Sequence, residues 1–73
     1  MIEEIKRKLL EAEEKGKKVV TFHYLILTNA SKLENEDPAG FCRNLGLSKG
    51  YPVEFTKMMN LAKYMKEKGV KIT

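Results

Sequence analysis

Asp37-Pro38-Ala39-Gly40-Phe41-Cys42-Arg43-Asn44-Leu45-Gly46-Leu47-Ser48-Lys49-Gly50-Tyr51-Pro52-Val53-Glu54-Phe55 carries the signals of a helix start, a helix stop and a second helix start in close succession. Asp37 offers a side-chain acceptor to the first free amides of a helix. Pro38 suits the first helical position, because the amide it lacks would have had no partner there. Ala39, Phe41, Cys42 and Leu45 then supply the buried side of a short helix, which Gly46 is placed to end in a left-handed conformation, with Leu47 packing back across the cap. After a turn through Ser48-Lys49-Gly50-Tyr51, Pro52 and Glu54 suit the first turn of a longer helix, where an acid meets the positive end of the helix dipole. That helix runs to Lys68, and Gly69 closes it.

The long helix has two unlike sides. At about 100° per residue, Phe55, Met58, Met59, Leu61, Ala62 and Met65 gather within one arc, while Thr56, Lys57, Asn60, Lys63, Tyr64 and Lys68 occupy much of the other. One side is core and the other is presented to solvent.

Upstream, Ile2, Ile5, Leu9 and Ala12 recur at helical spacing from Ile2 to Lys15, Leu10 widens the stripe, and Gly16 stands where the helix should stop. Glu3 with Arg7, Glu4 with Lys8 and Glu11 with Lys15 are spaced to pair on its outer side. The segment from Lys17 to Leu33 carries mixed signals. Its strand formers, Val19 to Thr28, lack strict alternation, whereas a helix capped by Thr21 sets Phe22, Leu25, Ile26, Ala30 and Leu33 on one side. Both signals are met if residues 18–20 pair as a short two-stranded β patch with residues 70–72 and a helix begins at Thr21. The expected fold is therefore mostly α: one small domain over residues 1–73, a bundle of about four helices.

Composition sets the bounds on function. With 73 residues, 42% hydrophobic and 33% charged, the chain is expected to fold on a core that must be used efficiently, since so small a domain buries only roughly 60% of its unfolded surface. The lone Cys42 leaves no internal disulfide. Acids at Glu3 and Glu4 do not suit a signal peptide, and the apolar run Val19 to Leu27 is far short of the ~20 residues a membrane span needs, so a cytoplasmic, non-membrane protein is expected. The net charge of +4 is uneven: residues 1–20 hold six bases against five acids, residues 21–48 two against three, and residues 49–73 six against two. A basic face of this kind is what a polyanion selects, because neutralising phosphates releases counterions; the plain alternative is a set of lysines that only solvate a helix.

Phe41-Cys42-Arg43-Asn44-Leu45-Gly46-Leu47-Ser48 followed by Tyr51-Pro52-Val53-Glu54-Phe55 resembles the helix-turn-helix pattern of small bacterial and phage DNA-binding regulators. Cys42 stands at that pattern's small position, Gly46 at the glycine of the turn, and Val53 at the apolar position early in the recognition helix. The turn is one residue longer than the common form and Pro52 sits near the start of the second helix. The resemblance implies a transcription regulator whose last helix lies in the major groove. Lys49, Tyr51, Thr56, Lys57 and Asn60 would then be nearest the bases, with Lys63, Lys66 and Lys68 at phosphates and Tyr64 on the same presented side. Arginine, the commonest base-reading side chain, occurs only at Arg7 and Arg43, which favours a weak or shape-tolerant binder and a homodimer or a partner protein to add contacts.

Chemistry is not expected. His23 is the only histidine, flanked by Phe22 and Tyr24, and Cys42 on the inner side of a short helix reads as a small hydrophobe. One Cys and one His fall short of the roughly four ligands of a metal site, and no phosphate loop or nucleophile motif is present, so no enzyme, no cofactor and no small-molecule substrate is expected. The competing reading is an interaction adaptor or inhibitor, as from a phage or mobile element, that docks through an apolar face: Met58, Met59 and Met65 would give a surface that repacks around a partner helix.

Overall fold

Gly16, Asn29, Gly46 and Gly69 punctuate the chain, and helices fill the intervals between them. In the computed structural model, which describes residues 1–72, these are α1 (Ile2–Glu14), α2 (Lys18–Thr28), α3 (Ala30–Leu33), α4 (Pro38–Asn44) and α5 (Tyr51–Glu67), with no strand among the described residues. The mostly helical bundle is as expected. The β patch is not.

Residues 18–20 are the first turn of α2, and residues 70–72 form no ladder. The reason lies in the preceding turn. Lys17 N–H donates to Ala12 O at 2.9 Å and Gly16 N–H to Glu13 O at 3.1 Å, which reverses the chain so tightly that α2 starts at once and runs back along α1. Val19 and Val20 stay helical because this tertiary setting outweighs a strand preference of under about 1 kcal/mol per residue. Thr21 is accordingly not a cap; its N–H already donates to Lys17 O inside the helix.

The expected second helix breaks at Asn29. Thr28 Oγ1 donates to Tyr24 O at 2.9 Å and Asn29 Nδ2 donates to Leu25 O at 2.8 Å, so side-chain donors compete for the carbonyls of the last turn. The described residues thus form five helices where about four were expected.

Ile5, Leu9, Phe22, Leu25, Ile26, Leu33, Phe41, Cys42, Leu45 and Phe55 make the core. Burial raises the Cys42 thiol above its ordinary pKa, in keeping with a small apolar role. Leu10 does not widen the stripe of α1: it is exposed. Ala39 is likewise on the outer side of α4. On the back of α1, Lys8 meets Glu4 at 3.9 Å as expected, but Arg7 pairs forward with Glu11 at 3.0 Å, leaving Glu3 and Lys15 out.

α5 packs across both α2 and α4. Phe55 meets Phe41 with ring centroids 5.2 Å apart, and Tyr51 meets Phe22 edge-on at 5.0 Å. Met58 and Met59 are half-buried against this cluster. Leu61 leaves the inward arc, 39% exposed, because it stands about 120° around the helix from Phe55. A polar clasp closes the α2–α5 seam: the His23 ring donates from Nε2 to Glu54 Oε1 at 2.7 Å, and Lys57 Nζ reaches Glu54 Oε2 at 3.4 Å. Together they hold the Glu54 carboxyl below its ordinary pKa, His23 being the larger cause.

Two outcomes follow from this architecture. Gly46 has φ +73°, and Leu47 N–H closes the cap by donating to Cys42 O at 3.0 Å. Gly46→Ala should cost about 1–2 kcal/mol, whereas Gly50→Ala, at φ −78° with open space around the added carbon, should leave the urea midpoint close to wild type. Equal losses would show that the left-handed cap is not what the glycine provides. For the clasp, a carboxyl whose pKa is lower in the folded state stabilises fully above its unfolded value, about 4.3, and ceases to do so as pH falls through the lowered folded value. Glu54→Gln should therefore be less stable than wild type at neutral pH, with the gap closing in acid; a gap that widens in acid would contradict the clasp.

Candidate nucleic-acid interface

The α4–α5 connection positions everything that follows. Asp37 Oδ2 accepts from Gly40 N–H at 2.8 Å and starts α4, Cys42 is buried at the contact with the core, and Gly46 ends the helix. Residues 45–50 then link Asn44 to Tyr51, a longer path than the 3–4-residue turn of the common motif. Cys42 and Gly46 occupy the roles that the resemblance assigned them. Val53 does not: it is 57% exposed, and Tyr51 and Phe55 make the inward contacts of α5 in its place.

The nine sequence-derived candidates fall in four places. Thr56, Lys57, Asn60, Lys63 and Tyr64 lie exposed along the outward flank of α5, with Lys68 just beyond its end, and Val53 joins them at the start. Tyr64 is 57% exposed, and Lys68 Nζ stands 5.4 Å from its ring centroid. Lys49 is exposed in the connection, at the same end of α5 as Val53. Tyr51 stands apart from both groups. Its ring is half-buried against Phe22, and Lys18 Nζ sits 5.7 Å from its centroid, so Tyr51 anchors the start of α5 and is not presented as expected.

Lys66 is also displaced from the outward flank. It falls about 20° around the helix from Phe55, and it escapes burial because the core ends before it. There it lines an open groove of ≈ 870 Å³ with Lys63 and Asn60, floored by Leu27, Ala30, Met59 and Ala62 and flanked by the tail Val70–Ile72.

Charge on the flank is mostly unopposed by the fold. Of the candidate lysines, only Lys57 has a carboxylate within ion-pair distance among the described residues, and that partner, Glu54, is shared with His23. Glu67 is the one acid on the outward stripe, near its far end. Lys57 can release an exposed pair at little cost, since such pairs are worth about 0–1 kcal/mol. Among the described residues, no three or more His, Cys, Asp or Glu converge as a metal site would require, and no helix is long and apolar enough to cross a membrane.

His23 and Val53 are the residues whose part the sequence understates. His23 could have been found only by knowing that α2 and α5 lie side by side, since Glu54 is remote in sequence. Val53 could have been found on the helical wheel, where it falls between Asn60 and Tyr64 on the outward side.

No curated protein and no solved structure matches the chain. A family match spans residues 1–68, taking in all five helices, and by it the chain belongs to the HTH-like domain family.

Proposed function

We propose that this protein is a non-enzymatic regulatory module that binds duplex DNA with the outward flank of α5. The observation that carries the reading is the pairing of an exposed, lysine-bearing flank with an inner face held fast by Phe55, Ala62 and Tyr51. With 17 residues α5 is about 25 Å long, against a major groove about 12 Å wide. Only one end of it meets base edges, and the remainder passes over the backbone. Lys49, Val53, Thr56 and Lys57 stand at the end that goes in; Val53 offers an apolar contact to a thymine methyl, and Thr56 a hydroxyl to either kind of base. Asn60, Lys63, Tyr64 and Lys68 follow toward the phosphates. With no arginine on the flank, affinity comes chiefly from counterion release, and sequence discrimination is modest.

A second reading is favoured by the groove beside Lys66. Its apolar floor includes Met59, and Lys63, Lys66 and Lys71 outnumber its single acid, Glu34. An acidic amphipathic helix of a partner protein fits that chemistry, its apolar side on the floor and its carboxylates at the lysines. The two readings share Lys63 but not Lys57, which is absent from the groove.

Binding to labelled duplex DNA across a salt series separates them. Lys63→Ala should weaken binding and lower the salt slope by about 0.9, the value for one phosphate left unneutralised, and Lys57→Ala should act in the same direction. The effect of Lys57→Ala should be the smaller, because Glu54 already opposes that charge. Wild-type protein that fails to retard duplex DNA at about 50 mM salt would remove the DNA reading and leave the groove as the functional surface.

A further inference from the structure

The lysines of the folded chain are not confined to its last third. The α1–α2 turn carries Lys15, Lys17 and Lys18, and the fold sets this turn beside the start of α5. Lys17, Lys18 and Val20 share an open cleft of ≈ 530 Å³ with Ser48, Tyr51 and one acid, Glu13, and the exposed Lys49 follows Ser48 directly. Lys15 and Lys17 are exposed and have no carboxylate within ion-pair distance among the described residues. Lys18 reaches Glu13 only at 3.5 Å, a long contact between groups open to solvent. Two turns far apart in sequence thus form one basic rim around the N-terminal end of α5.

We propose that the α1–α2 turn is a second phosphate-contacting strip of the same DNA interface, with Lys17 and Lys18 extending the contact line that begins at Lys49. The inference rests on the α5 reading and adds residues to which the sequence alone assigned no chemistry. A helix with its side chains is about 10–12 Å across, nearly the width of the major groove, so α5 fills the groove where its N-terminal end goes in. Groups beside that end of α5 therefore overlie the groove edges, where the phosphates run. Lysine suits the position: a flexible stem with a compact charge meets a phosphate without requiring a fixed geometry. Tyr51 keeps the two turns in register, since the same ring packs on Phe22 of α2 and lies beneath the Lys18 ammonium.

The test uses the full chain and a fluorescent duplex of about 20 base pairs, with anisotropy followed over a salt series. Lys17→Ala combined with Lys18→Met removes two charges while keeping an apolar stem over the Tyr51 ring. The expected result is a salt slope shallower by more than one charge's worth, about 0.9, and short of two, about 1.8, because Glu13 already opposes Lys18, with binding weakened most at low salt. Lys15→Ala should act in the same direction. Lys32→Ala, which removes one charge from α3 at the opposite end of α2, should leave the slope at the wild-type value. If the Lys17/Lys18 variant keeps the wild-type slope while Lys63→Ala lowers it, the strip is wrong and the α5 reading survives. If Lys32→Ala loses as much per charge as the Lys17/Lys18 variant, overall charge accounts for the effect and the strip is again wrong. If wild-type protein does not bind the duplex at all, both proposals fall together.

Discussion

Phe22 has no exposed surface, and the path of the chain is organised around where it sits. It lies on α2, which packs along α1, and its ring meets that of Tyr51, the first residue of α5, in a T-shaped contact. Phe41 of α4 grips Phe55 one turn later. With α5 held at two successive turns by aromatic contacts from two different helices, its rotation about its own axis is no longer free. Removing a buried phenylalanine ring costs about 3–5 kcal/mol, comparable to the lower end of what holds a whole small domain together. The outward direction of Thr56, Lys57, Asn60 and Tyr64 is thus a consequence of the core, and the candidate interface is only as well defined as that aromatic set.

What was legible in the sequence was what depends on local chemistry. Asp37, Pro38, Gly46 and Gly69 act within a turn of themselves, so the limits of α4 and the end of α5 could be read from residue types and spacing. The stripe Ile5, Leu9, Ala12 is likewise a property of one helix. Sequence and structure part where a distant portion of the chain decides the outcome. Val19 and Val20 look like strand when read alone, yet the turn at Gly16 and the packing of α2 on α1 make them helical. Asn29 and Thr28 break a helix through side-chain hydrogen bonds that hydrophobic periodicity does not register. Tyr51 reads as a ligand-facing residue because it precedes a helix of recognition type, and only the position of Phe22 shows that it belongs to the core.

The candidate site divides in the same way. That lysines line the final helix is visible from composition, and the exposed flank follows from the wheel. Which of them point together is not visible. Lys66 sits almost above Phe55 in projection and is open to solvent only because the bundle is short there, which assigns it to the groove wall and not to the outward flank. The two surfaces meet at Asn60 and Lys63. One helix therefore presents a polar, basic stripe and, around its C-terminal half, the edge of an apolar trough.

Glu54 links the start of α5 to these charges. It is the only acid in the first turn of α5, it accepts from His23 across the seam, and it draws Lys57 toward itself. A positive helix end, an imidazole and an ammonium all favour the ionised carboxylate, so Glu54 stays charged near the position where a phosphate backbone would approach. That charge would oppose a polyanion at close range while it secures α5 to α2. The arrangement is consistent only if positive charge elsewhere outweighs it, and around this end of α5 the balance is supplied from outside the helix, by Lys49 in the preceding connection and by Lys17 and Lys18 across the cleft. The geometry that fastens the helix thus weakens its own first turn as an anion site, and the neighbouring turns become the natural place for the compensating charge.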